Sequence, residues 1–208
     1  MKQSAIELLE IYEKLNEWKA ERHLSLDNQR VGYYSNILEE LGELSEAMRA
    51  NDSNGYIDAL CDIVVFTINA LDEYRYCPTV ANVTRNTPRE ELLRQLLHKI
   101  GQYGVSWDSR YVCNIYNICS LLAIQEGYSL YPSLLETIKE INSRTGSYDP
   151  SIGKWIKDKS PEAMTKWYKD NRDTILEISY RSVDSDQFKD SDEGSYLLAH
   201  VALEAFTK

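Results

Sequence analysis

The chain has 208 residues, 43% hydrophobic and 27% charged, with nine Gly and five Pro. A chain of that size and balance hides roughly 70% of its unfolded surface, and collagen-like, linker-rich and disordered classes are excluded. Lys plus Arg number 23 against 33 Asp plus Glu, a net charge of −10, which repels phosphate backbones and anionic lipid and argues against nucleic acid or a membrane surface as partner.

Helical punctuation recurs along the chain. Ser4 to Glu7 forms a capping box opening a helix whose apolar stripe is Leu8, Ile11, Tyr12, Leu15 and Trp18. This opening stretch is amphipathic and charged, unlike a signal peptide. A second helix is expected from about Tyr33 to Ala50, a turn at Asp52 to Asn54, and a third helix over roughly Gly55 to Glu73. Thr87-Pro88-Arg89-Glu90 repeats the capping-box pattern with Pro at the first helical position, opening a helix to about Tyr103. Further helices are expected over Trp107 to Glu126, Pro132 to Arg144, Ser160 to about Asp170 and Asp192 to Lys208. Thr174 to Tyr180 reads as a strand or a continued helix, and 74–87, 145–159 and 181–191 are the least regular stretches. The expected class is all-α in a single domain, 1–208, with no internal repeat. No run approaches the 18 or so apolar residues of a membrane span. The four cysteines, at 61, 77, 113 and 119, form no CxxC pair, and 61, 113 and 119 lie in apolar surroundings. They read as buried thiols of a cytoplasmic protein rather than a zinc site or disulfide framework.

Two of these helices carry acid. In the second, Glu39, Glu43 and Glu46 fall on one line with Glu40 beside them, opposite Ile37, Leu41, Leu44 and Met48. Alone, this is an amphipathic helix with a solvated face. The third helix is apolar nearly all round, hence buried, yet Asp58, Asp62 and Asn69 project within about 40° of one another. Buried carboxylates need a partner or a cation, and no Lys or Arg occurs between Arg49 and Arg75. The economical arrangement is that the two acidic lines face each other around Mg²⁺, with Mn²⁺ as a possible substitute, since hard cations take oxygen ligands and Mg²⁺ typically adds substrate phosphates. Such cations also answer the charge repulsion that a nucleotide would otherwise meet. The alternative is a buried ion pair with a distant arginine such as Arg110 or Arg144.

Glu39-Glu40-Leu41-Gly42-Glu43-Leu44, a turn, then Ile57-Asp58-Ala59-Leu60-Cys61-Asp62 with Asn69 seven residues on, resembles the MazG-like all-α nucleoside triphosphate pyrophosphohydrolases, whose pattern is ExxE on one helix and ExxD on the next. Trp18 and Arg22 are similar to the W…R opening of small members, and the likeness covers residues 1–72. Ala59 stands where the family has Glu, and Asp58, one position earlier, keeps a carboxylate on the same face. Residues 136–170, with Glu140 to Gly146, Gly153-Lys154-Trp155-Ile156-Lys157 and Ser160-Pro161, resemble the C-terminal region of phage-type stand-alone members. In so acidic a chain Arg144, Lys154 and Lys157 suit a polyphosphate, and the Ser160-Pro161 start offers a helix N-terminus for an anion. The bland reading is an ordinary basic loop.

The resemblance implies a MazG-type bundle with extra helices: a metal-binding core at about 1–73, inserted helices at about 74–126 and a substrate-loop region at about 130–172. It implies that a (d)NTP is converted to the monophosphate and pyrophosphate. Glu39, Glu40, Glu43, Asp58 and Asp62 would be the metal ligands, with Glu39, Glu40 and Glu43 catalytic and Glu39 a candidate general base. Asn69, Arg144, Lys154 and Lys157 would bind substrate. Rival readings are a dUTP or dCTP pyrophosphatase or a phosphoribosyl-ATP hydrolase of the same superfamily, or a non-catalytic helical interaction module. A homodimer or homotetramer is expected, because a two-helix acidic cage is open on one side and Trp18, Val64, Phe66 and Ile68 point in several directions. The rival arrangement completes the bundle within one chain, from residues 88–126. If the chain is phage-encoded, the host cytoplasm is its compartment.

Overall fold

A computed structural model describes residues 3–75, 83–151 and 154–166. The elements expected at Thr174–Tyr180 and Asp192–Lys208 lie outside the described residues, as do Cys77 and the side chains of Ser4 and Lys154. The elements are α1 (Gln3–Glu21), α2 (Leu26–Ala50), α3 (Ser53–Asn69), α4 (Arg89–Ser106), α5 (Ser109–Gln125), α6 (Leu130–Ser143), β1 (Gly146–Asp149), β2 (Lys154–Lys157) and α7 (Pro161–Met164). Among the described residues the class is all-α with one small hairpin, and no helix is long and apolar enough to cross a membrane.

The centre of the molecule is α3. From Ile57 to Ile68 every residue is buried except Asp58, Asp62 and Phe66, which are half-buried. Four helices do the covering, since α1, α2, α5 and α6 all pack against α3. The strongest pairing is with α2, which folds back onto α3 through a two-residue link. Asn51 ends α2 in the left-handed conformation (φ 52°), and the Asp52 side chain then accepts from the Gly55 N–H, so one short turn supplies both a C-cap and an N-cap. The N-terminal end of α3 is pinned on its other side. Ser53 and Arg89 both donate to Glu126, and the Tyr128 hydroxyl donates to Asn54 Oδ1 at 2.7 Å. On α1, Glu7 accepts from the buried Tyr116 hydroxyl of α5 at 2.9 Å.

Several boundaries depart from the sequence reading, among them the end of α3, at Asn69 rather than about Glu73. α2 begins at Leu26, two turns before Tyr33, because Ser25 caps it by accepting from the Asn28 N–H. Pro88 precedes α4 as its N-cap residue rather than opening it, and Thr87 accepts from the Thr84 N–H instead of capping the helix. The stretch 145–159, read as irregular, contains an antiparallel hairpin with Gly146 opposite Lys157 and Tyr148 opposite Trp155. The inserted helices also do more than decorate. α5 packs against α3 and α6, with α4 outside it, touching α5 and α2. Val64 and Ile68, which suggested a missing partner, are therefore covered within the chain.

Candidate functional site

The buried residues of α2 are Tyr33, Ile37, Glu40, Leu44 and Ala47. Their spacing alternates four and three, the pattern of a helix seam packed on a neighbour. Glu40 therefore occupies a seam position where the pattern calls for an aliphatic side chain, and it is only 7% exposed. Leu41 and Met48, expected on the apolar face, are half-buried beside the seam. Glu39, Glu43 and Glu46 lie outward and exposed. The acidic line of α2 thus faces solvent, and one member of the cluster dips beneath it toward α3.

Glu40 Oε2 is enclosed and has no hydrogen-bond partner. Burial pushes its carboxyl up to about 8, and the charges of Asp62, Glu43, Asp58 and Glu39 add to the shift in that order. All five acids nominated from the sequence therefore meet in the electrostatic surroundings of Glu40, where the other four make its carboxyl harder to ionise. Asn69, 1% exposed, also has a buried oxygen without a partner, Oδ1. It stands about 10 Å further along α3 than Asp62, at 1.5 Å per residue. Its main-chain carbonyl accepts from the buried Lys19 ammonium at 3.1 Å. Lys19 is brought down to about 8, by desolvation against a smaller opposing pull from Asp72.

The basic region is brought to the same place only in part. Lys157 is exposed. Its ammonium lies below the ordinary lysine range, through partial desolvation first and then the Arg144 charge, with Asp62 and Glu140 pulling the other way. That places Lys157 within Coulombic range of an acid of the cluster. Arg144 is engaged in a two-pronged pair with Glu140, at 2.9 and 2.7 Å, so its guanidinium is committed along α6. Lys154 pairs by main chain with Asp149 in the hairpin. The Ser160 cap forms as expected, its hydroxyl accepting from the Ala163 N–H. The helix that follows has only four residues among those described, too short for a useful dipole.

Does this donor set fit a divalent cation? Among the described residues no three His, Cys, Asp or Glu side chains are arranged to hold a metal ion. The chemistry of the donors nevertheless suits a hard cation. A buried carboxylate oxygen without a donor, its ionisation opposed by four further acids, is relieved only by a proton or a cation. No family model, curated protein or solved structure matches the chain.

Two residues escaped the sequence reading. Lys19 is a buried cation beside Asn69, and its only signal was a lysine continuing the line of Leu8, Ile11 and Leu15. Trp155 packs over Arg22 (ring centroid 5.1 Å away), and an isolated aromatic in a basic loop gave no sign of that.

Proposed function

We propose that the chain is a divalent-cation-dependent nucleoside triphosphate pyrophosphohydrolase, acting at the α2–α3 acidic cluster. The observation that carries this reading is Glu40, a carboxylate set in a helix seam with an oxygen left without a donor and four acids around it. A structural role leaves such a group costly, because a buried carboxyl without a hydrogen-bond partner pays its desolvation and must hold a proton to stay neutral. A role that brings in cations with each substrate explains why the position is not aliphatic.

Glu40, Glu43, Asp58 and Asp62 would hold Mg²⁺ or Mn²⁺, with side-chain rotation drawing Glu43 inward, and Glu39 is a further candidate. When bound, the cation would neutralise phosphate charge and make water a better nucleophile. The remaining roles belong to the chain. Glu39, exposed beside Glu40, would take a proton from an attacking water. Lys157 offers an ammonium to the phosphates on the Asp62 side. Asn69 lies about 10 Å along α3 from Asp62, a distance suited to the sugar or the near phosphate. Arg144, paired with Glu140, would add positive charge for the phosphates. The bundle follows the MazG type in its first three helices and carries extra helices in α4 and α5.

The working unit in this reading is a homodimer or homotetramer in the cytoplasm. Its support is an apolar line left exposed on α2 and α4. Val31 (87% exposed), Tyr34 and Leu38 (67%) sit on one side of α2, with Leu97 and Val105 (82%) on α4. Tyr34 bridges the two lines, for a β-carbon on Gly104 would collide with its hydroxyl. Release of pyrophosphate from a panel of NTPs and dNTPs, with Mg²⁺ and then with EDTA, tests the proposal. Product formation that persists in EDTA, or no product from any nucleotide, contradicts it.

A further inference from the structure

Arg22 joins the β1–β2 hairpin to the helices. This residue follows the last turn of α1 and is buried. Its guanidinium stacks on Trp18 at 5.2 Å and on Trp155 at 5.1 Å. Its Nη2 donates to the main-chain carbonyl of Asn142 at 3.1 Å, and to those of Ile141 and Arg144 at 3.5 Å. These are carbonyls at the end of α6, where a helix has no partners of its own to offer. Next to it, His23 meets Tyr148 of β1 edge-on at 5.9 Å. A planar five-donor fork can grip two rings and three carbonyls at once, which an ammonium cannot. Glu21, the carboxylate Arg22 does pair with, lies at 3.3 Å and is itself 71% exposed, so charge neutralisation is a minor part of this seat.

What the seat holds is Lys157. Trp155 and Lys157 are two residues apart in β2, and strand alternation puts them on one face. Fixing the indole therefore fixes the direction of the lysine. Across the ladder Lys157 faces Gly146, whose missing side chain leaves room for the Trp155 ring. A β-carbon at Gly146 would strike the Ile156 carbonyl and the Trp155 ring, and the close approach of strand to strand depends on that glycine.

We propose that Arg22 is a positioning residue: clamped between Trp18 and Trp155, it holds the hairpin that carries Lys157, the cation that meets a polyphosphate at the acidic cluster. The ligand class rests on the pyrophosphohydrolase reading, whereas the clamp is read from contacts alone. Arg22 touches no phosphate in this scheme and acts only through Lys157.

The test compares wild type, Arg22→Lys, Trp155→Leu, Lys157→Ala and the double variant Arg22→Lys/Lys157→Ala. Two readouts are taken: KM and kcat for pyrophosphate release, and calorimetric binding of inorganic tripolyphosphate with Mg²⁺. Each single variant is expected to raise KM and weaken tripolyphosphate about tenfold, the order expected for one charge-assisted hydrogen bond, with the loss in KM rather than kcat. The double variant should be no worse than Lys157→Ala alone, since both changes remove the same cation. Trp155→Leu keeps the Arg22 bonds to α6, so it carries the test if Arg22→Lys does not fold. Additive losses overturn the proposal. So does wild-type affinity in Arg22→Lys and Trp155→Leu, or a wild type that does not bind tripolyphosphate. Binding that depends on Lys157 and Arg22 in a chain that hydrolyses no nucleotide upholds the clamp and sinks the pyrophosphohydrolase reading alone.

Discussion

At the residue scale, Glu40 ties sequence to chemistry through its proton. Its folded-state pKa of about 8 lies above the ordinary value of 4.5. The folded chain therefore keeps the proton over a pH range in which the unfolded chain has lost it. By linkage, the stability associated with the neutral carboxyl is fully present below about pH 4.5 and is lost as pH rises toward 8. Glu40→Gln keeps the shape and removes the charge. In EDTA at pH 8 it should melt higher than wild type, by about 2–4 °C for each kcal/mol regained in a chain this long. It should also flatten the decline in Tm between pH 5 and 8. Scanning calorimetry reads both, and a Gln variant that melts below wild type at pH 8 contradicts this account of the site. The five acids themselves were legible because they interrupt an apolar helix or line up on its neighbour. Which one is buried was not. The α2 stripe can be drawn through Ile37, Leu41, Leu44 and Met48 or through Tyr33, Ile37, Glu40, Leu44 and Ala47, and only the direction from which α3 approaches decides.

At the element scale, the helices were legible from caps and apolar periodicity, and the hairpin was not. Its strands have four residues each, too few to show alternation, and the contact that seats Trp155 against the helices comes from Arg22, far away in the chain. The early start of α2 was hidden for a related reason. Leu26 to Gly32 has no repeating apolar face, and the Ser25 cap shows only once the structure is in hand. Gly146→Ala tests the hairpin directly. The added carbon must displace the Ile156 carbonyl or the Trp155 ring, so the arm should shift while the bundle stays intact. The expected outcome is a KM for nucleotide raised several-fold with Tm within a few degrees of wild type. Unchanged kinetics would mean that the position of the hairpin does not matter to the site.

At the scale of the whole molecule, the chain completes its own bundle around α3 with α5 and α6, so the case for a second copy no longer rests on uncovered core. It rests on Val31, Tyr34 and Leu38 of α2 with Leu97 and Val105 of α4. Together they form an exposed apolar face on an otherwise strongly acidic protein. Light scattering at micromolar concentration should give at least twice 24.0 kDa, and Leu38→Glu should reduce the mass to that of one chain. A wild-type monomer that hydrolyses nucleotides removes the oligomer and leaves the site within one copy. The fold and the cluster meet in one assay, which follows nucleoside monophosphate and pyrophosphate from each NTP and dNTP with Mg²⁺, in wild type and in Glu43→Gln. Glu43 is exposed on α2, so the variant keeps the fold while losing one carboxylate from beside Glu40. Wild type should give equimolar monophosphate and pyrophosphate from at least one nucleotide and none in EDTA, and the variant should lose at least about a hundredfold, as expected when a charged catalytic group is removed. Full activity in Glu43→Gln, or a wild type that releases pyrophosphate from no nucleotide, would contradict the proposed function.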